Sequence, residues 1–252
     1  GKGAQALGLD RPGRSYDSDF KAILLGFDPN DPNRKLVQNA GEPDRTYAHD
    51  MTLSAPKGFS IAFAAADTQE QKRMLAALHH ARDQALGFLD GEVRTRTGHG
   101  GKRLVAAEGL VVRSVTHVDS RAGDPQLHCH CVVANLNQAA DGKWRALKNE
   151  DLYASQLAVD AIFQRELARG FMALGYGIDQ ARELDDDGRE TGRVSYHVAS
   201  ISREAELAFS TRRKQVLENL QQAVDAGKPI TKSQAALLGR AGKDEKNPQT
   251  II

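Results

Sequence analysis

Three of the eight histidines, His117, His128 and His130, fall close together in the sequence. On a β-strand alternate side chains share a face, so His128 and His130 point the same way. His117 ends an apolar stretch, and Asp119-Ser120-Arg121-Ala122-Gly123-Asp124-Pro125 after it is turn chemistry throughout. An antiparallel hairpin would bring His117 beside the pair. Three neutral imidazoles satisfy one another poorly, and three cations would repel. One divalent metal ion resolves both problems, and a three-histidine site with open positions is a catalytic coordination pattern. A lone His-x-His pair is usually a chance feature, so the third histidine carries the argument. Cys129 and Cys131 alternate to the opposite face and read as small buried hydrophobes. A zinc site that recruits them is the weaker alternative.

Positioning these side chains requires two adjacent strands, and the pattern predicts them over Leu104–Val118 and Gln126–Leu136. A shorter strand is expected over Tyr47–Leu53. Ser54 then reads as a helix N-cap with Pro56 in the first turn. Leu75, Leu78, Leu86 and Leu89 recur at helical spacing and predict a helix over about 68–97. Further helices are expected over 149–174, about 200–226 and 231–240, with a weak hairpin around Asp185-Asp186-Asp187-Gly188. Residues 1–45 are rich in turn formers and read as short helical pieces joined by loops. The resulting fold class is α+β, a central antiparallel sheet with helices packed on its faces.

The whole chain has 252 residues, 40% apolar and 27% charged, the balance of a soluble globular protein. No apolar run approaches the roughly 18 residues of a membrane span, so membrane insertion is not expected. The net charge is +1, so any grip on nucleic acid must come from local patches. Two cysteines suit a reducing cytoplasm. The first residues carry neither an initiator Met nor a signal-peptide pattern, which reads as an excerpt of a longer chain.

The stretch from His117 to His130 resembles the metal motif of the MobF conjugative relaxases, a branch of the HUH endonucleases. The resemblance extends to His49-Asp50-Met51-Thr52-Leu53-Ser54-Ala55-Pro56-Lys57, to Gly1-Lys2-Gly3-Ala4-Gln5-Ala6-Leu7-Gly8-Leu9 and to Asp141-Gly142-Lys143-Trp144-Arg145-Ala146-Leu147. Leu174-Gly175-Tyr176 and Phe209-Ser210-Thr211-Arg212-Arg213 complete it. It implies an HUH relaxase-like fold in one domain, 1–252, lacking its N-terminal tyrosine segment. Residues 1–198 would form the metal-site core, and 199–252 a helical part that closes over DNA.

The activity implied is metal-dependent, site- and strand-specific nicking of origin-of-transfer DNA. A tyrosine attacks a backbone phosphate, giving a 5′-phosphotyrosyl link and a free 3′ hydroxyl. One divalent ion is implied, Mg2+, Mn2+ or Zn2+, held by His117, His128 and His130. The implied partners are single-stranded or hairpin origin DNA, conjugation accessory proteins and type IV secretion coupling proteins. The implied location is the cytoplasm of a bacterial donor cell, with transfer into the recipient.

Asp50 matches the family's acidic residue and is expected to orient a ligand imidazole or to accept the tyrosine proton. His49 is expected to face the other way. Lys57, at a helix start that favours anions, is a candidate DNA contact with Arg145 and Lys148. The basic run Arg94–Arg103 reads as a flexible loop, Arg121 and Asp124 as a local pair holding the turn, and Trp144 as core. The family's nucleophile precedes the Gly-Lys-Gly-Ala block. None of Tyr16, Tyr47, Tyr153, Tyr176 or Tyr196 occupies that position, so none is assigned. The alternatives are a metal- and DNA-binding fragment without nicking activity, and an unrelated three-histidine hydrolase using metal-bound water.

Overall fold

The computed structural model describes residues 2–9, 16–98, 102–184 and 189–211, with 214, 215, 218, 222 and 225 as single positions. The elements run α1 (Lys2–Ala6), α2 (Tyr16–Leu25), β1 (Phe27–Asp28), β2 (Asp31–Lys35), β3 (Ala48–Ser54), α3 (Lys57–Ala65) and α4 (Thr68–Glu92). They continue with β4 (Arg94–Thr97), β5 (Arg103–Asp119), β6 (Pro125–Ala139), β7 (Trp144–Arg145), α5 (Asn149–Ala173), β8 (Ile178–Leu184), β9 (Glu190–Val198) and α6 (Arg203–Ala208). The main sheet has the order β3-β6-β5-β4, with β7 added to β6. Two ribbons, β1-β2 and β8-β9, stand apart from it. This is the expected α+β class. Among the described residues no helix is long and apolar enough to cross a membrane.

Several expectations are corrected. The helix predicted to 97 ends at Glu92, and Arg94–Thr97 forms β4 instead of a flexible loop. It pairs antiparallel with β5, from Arg94 opposite Ala106 to Thr97 opposite Arg103. Thr95 is fully buried and its hydroxyl donates to Ala146 O at 2.8 Å. Residues 28–35, expected as loop, carry a two-stranded ribbon. Ser54 belongs to β3, and Pro56 is the N-cap of α3 with no side-chain cap bond. The weak hairpin is a full ribbon, whose turn at 185–188 lies outside the described residues. So does the helix expected at 231–240, and a minor part of that expected at 200–226, within which α6 spans Arg203–Ala208.

The chain divides into two compact units. The first comprises Gly1–Leu53, Ala76–Thr116 and Cys129–Gly170. One of its cores gathers Leu7, Ile23, Leu36, Val37, Val111, Leu136 and Trp144, which bears out the core reading of the single tryptophan. α1 docks backbone to backbone on β5, where Gly3 and Gly109 meet. A Cβ on Gly109, whose φ is 144°, would stand 2.6 Å from Gly3 N. In the same unit the buried Asn135 of β6 ties three segments together. Its Nδ2 donates to Thr46 O at 3.0 Å, and its Oδ1 accepts from Leu147 N at 3.0 Å. Its backbone O accepts from Arg45 Nη2 at 2.8 Å, and its N donates to Tyr47 O at 2.9 Å.

The second unit comprises Ser54–Leu75, His117–His128 and Phe171–Ile252. Phe59 and Phe171, both fully buried, pack with ring centroids 4.7 Å apart, and Tyr176 packs on Phe171. The α3 start meets α6 at Gly58, where an added Cβ would stand 3.0 Å from Glu206 Oε1.

Candidate metal centre

Along β6 burial alternates with period two. Leu127, Cys129, Cys131 and Val133 are fully buried, while Gln126, His128, His130 and Val132 are half-buried. The strand therefore separates thiols from imidazoles, as alternation requires. On the thiol side Thr116 Oγ1 lies 3.5 Å from Cys129 Sγ, and Ser114 donates to Cys131 Sγ at 3.5 Å. Thr116 also meets His79 Nε2 at 2.9 Å. Burial pushes the Cys129 thiol up, and the Cys131 thiol to about 11. Metals bind thiolate, so this side is chemically ill suited to a metal.

In the first unit Asp50 Oδ2 lies 2.7 Å from His130 Nδ1, with Thr52 Oγ1 at 3.3 Å from the same nitrogen. A carboxylate only accepts, so a neutral His130 donates from Nδ1 and carries its lone pair on Nε2. His49, next to Asp50, turns to α5. Its Nε2 lies 3.0 Å from Asn149 Oδ1, and its ring meets Tyr153 edge-on.

In the second unit the His117 and His128 rings stack, with centroids 5.2 Å apart and planes at 27°. His128 Nδ1 lies 2.8 Å from the carbonyl of Gln126. That oxygen too can only accept, so a neutral His128 has the same tautomer as His130. This donor chemistry fits a divalent ion, since ligating histidines ordinarily donate their second nitrogen to a carboxylate or carbonyl. Among the described residues, no group of three His, Cys, Asp or Glu side chains is arranged as it would be around an ion.

The three candidate DNA-binding residues are all engaged within the chain. Lys57 Nζ donates to Pro125 O at 2.7 Å, and burial lowers its pKa. Arg145 makes two bonds to Asp141, at 2.7 and 2.6 Å. Lys148 Nζ donates to Asp151 Oδ1 at 2.9 Å. An ammonium has three donors, so neither lysine is exhausted by its bond. Arg94 binds Asp151 through Nε and Nη2, at 2.9 and 2.7 Å.

The expected Arg121–Asp124 pair is replaced. Asp124 accepts from Thr211 N and Thr211 Oγ1, each at 2.9 Å. Sequence reasoning also missed Glu206, which is 5% exposed and accepts from Arg203 Nη1 at 2.6 Å, with His197 Nδ1 at 3.6 Å. The only available signal was that Ser210-Thr211 lies within a shared block. Of the tyrosines, Tyr153 is 68% exposed and Tyr47 37%, whereas Tyr196 is buried.

A family model described as TrwC relaxase matches residues 1–251. The multifunctional conjugation protein TraI of Escherichia coli is 34% identical over 188 residues, which are 70% of this chain. The matched region is 10% of TraI, so the chain spans about a tenth of that relative. Among solved structures, the conjugative relaxase TrwC with oriT DNA, in a copper-bound form, superposes with a TM-score of 0.78 at 27% identity. That match covers 98% of this chain and 80% of the other. TrwC with a 27-mer DNA comprising the recognition hairpin and the cleavage site gives a TM-score of 0.77 at 27% identity. There the coverage is 98% of this chain and 83% of the other.

Proposed function

The chain belongs to the TrwC relaxase family, and on that premise we propose that it is a conjugative relaxase domain that nicks one strand of an origin of transfer. The reaction is transesterification: a tyrosine oxygen displaces the 3′ oxygen at a backbone phosphate, giving a 5′-phosphotyrosyl bond and a free 3′ hydroxyl. None of the five tyrosines of this chain is assigned that role. The observation that carries the reading is that His128 and His130 each have an acceptor oxygen beside Nδ1, the Gln126 carbonyl at 2.8 Å and the Asp50 carboxylate at 2.7 Å.

His117, His128 and His130 are the proposed ligands of one divalent ion, with Mg2+, Mn2+ and Zn2+ as candidates. When bound, that ion offsets charge on the phosphate oxygens. Asp50 holds the Nδ1 proton of His130 and so fixes which nitrogen faces a metal. Relatives solved with copper or another metal support a divalent ion. Relatives solved with oriT DNA support single-stranded or hairpin origin DNA as partner. Lys57, Arg145 and Lys148 are the proposed phosphate contacts, each exchanging or sharing its internal bond on binding. Accessory and secretion coupling proteins, and a donor-cell cytoplasm, belong to the same reading.

The test titrates labelled origin oligonucleotide and a scrambled control with this chain at several salt concentrations, with Mn2+ or with EDTA. Tighter binding of the origin strand is expected, with a salt slope of about 0.7 per phosphate neutralised. Equal affinity for both strands rejects origin recognition. In a cleavage-competent protein carrying this chain, His117→Ala, His128→Ala and His130→Ala should each abolish cleavage while leaving most DNA affinity. Undiminished cleavage rejects the metal assignment.

A further inference from the structure

His117 and His128 flank a turn that is held from outside itself. Within the turn, Ser120 N donates to Asp124 O at 2.8 Å and Asp124 N to Ser120 Oγ at 3.2 Å. Distant segments of the second unit then grip the first residues of β6. Lys57 Nζ donates to Pro125 O, Gln126 Nε2 to Ala55 O at 3.2 Å, and Leu127 N to Ser60 Oγ at 2.9 Å. These three bonds tie the His128 side of the turn to the start of α3.

The tip is held by a different element. The Asp124 carboxylate takes both the backbone N–H and the hydroxyl of Thr211, 87 residues away. Lys214 N donates to Ser210 O at 3.0 Å, so Thr211 stands at the start of a helical turn. Its N–H would otherwise lack an intrahelical partner. A carboxylate from the turn between the two imidazoles thus caps that helical turn. The arrangement satisfies an orphan donor and immobilises the tip in one step.

We infer that Asp124 and Thr211 are positioning residues for the paired imidazoles: their two-point bond fixes the turn that sets how His117 and His128 stand together. This rests on the assignment of both histidines as metal ligands. Neither Asp124 nor Thr211 touches the ion. They act through the turn, so their effect falls on metal affinity and geometry before it falls on folding.

The probe is Co2+, titrated into this 252-residue chain by calorimetry, with its visible spectrum and the melting temperature recorded in parallel. Thr211→Val keeps the N–H and the shape but removes the hydroxyl donor. Thr211→Ser restores that donor. Thr211→Val and Asp124→Ala should each weaken Co2+ binding about tenfold and alter its spectrum, with Thr211→Ser within about twofold of wild type. The double variant should lose little more than either single one, because both remove one interaction.

Unchanged Co2+ affinity in Thr211→Val overturns the proposal. So does a loss in Thr211→Val that Thr211→Ser does not restore, or one that only accompanies a fall in melting temperature. His128→Ala separates the two levels. If it loses Co2+ while Thr211→Val does not, the latch alone is wrong. If His128→Ala binds Co2+ like wild type, the metal assignment falls, and the latch with it.

Discussion

Asp50 and His130 are 80 positions apart in sequence, yet Oδ2 of one lies 2.7 Å from Nδ1 of the other. The contact joins the edge strand β3 to its neighbour β6 within one compact unit. A carboxylate at Nδ1 holds the ring in one orientation. Asp50→Asn keeps the shape and removes the charge. In a cleavage-competent protein carrying this chain, at saturating Mn2+, turnover should fall about 10- to 100-fold. Metal content measured by elemental analysis should stay largely intact. Loss of all metal would identify Asp50 as a direct ligand instead.

Asp151 gives a pH dependence whose sign is set by its surroundings. Side-chain bonds from Arg94, followed by that from Lys148, hold this buried carboxylate down at about 2, against an ordinary 3.8. A carboxylate depressed on folding stabilises the folded state above its unfolded value and loses that contribution as pH falls through the folded one. Asp151→Asn should therefore melt below wild type at pH 7. The gap should narrow on acidification from pH 3.8 toward about 2. A gap that stays constant across that range would mean the loss is steric and not electrostatic.

Glycines divide by what a Cβ would meet. At Gly109 it would stand 2.5 Å from Lys2 Cβ and 2.6 Å from Gly3 N, on a backbone with φ 144°. Gly109→Ala should cost about 1–3 kcal/mol in urea unfolding, because backbone atoms must move apart. At Gly87, on α4, nothing lies within 4 Å. Gly87→Ala should gain about 0.5–1 kcal/mol from helix propensity alone. Equal effects at the two positions would contradict the backbone-on-backbone docking of α1.

The hairpin carrying the histidines was legible because apolar alternation and turn chemistry agree there. Contacts chosen by a distant partner were not. Arg94–Thr97 continues a helical pattern, but β5 offers it a ladder and Asp151 an ion pair, and those outweigh local propensity. Asp124 looked paired to Arg121 by closeness in sequence, whereas its partner comes from 87 residues downstream. Lys57 read as a phosphate-facing cation because a sequence cannot show that Pro125 O lies beside it.

The buried Asn135 of β6 joins Thr46 and Leu147 through its side-chain amide, and its loss should be felt in both segments. Asn135→Ala leaves Leu147 N and Thr46 O without their partner, at a cost of about 1–3 kcal/mol by chemical denaturation. A loss below experimental error would show that water replaces the amide.

Those same bonds also decide which chemistry β6 presents. A strand has two sides, and a slip of one residue exchanges them. Displaced by one position, β6 would offer Cys129 and Cys131 where His128 and His130 now stand. Soft sulfur donors would replace borderline nitrogen donors, and the face would favour copper(I) or zinc over manganese or magnesium. Such a slip would break the amide bonds of Asn135 to Thr46 and Leu147 together with the Arg45 bond to its carbonyl. On the proposed metal assignment, selectivity between metals would be guarded, in part, by an amide five residues along the strand from His130.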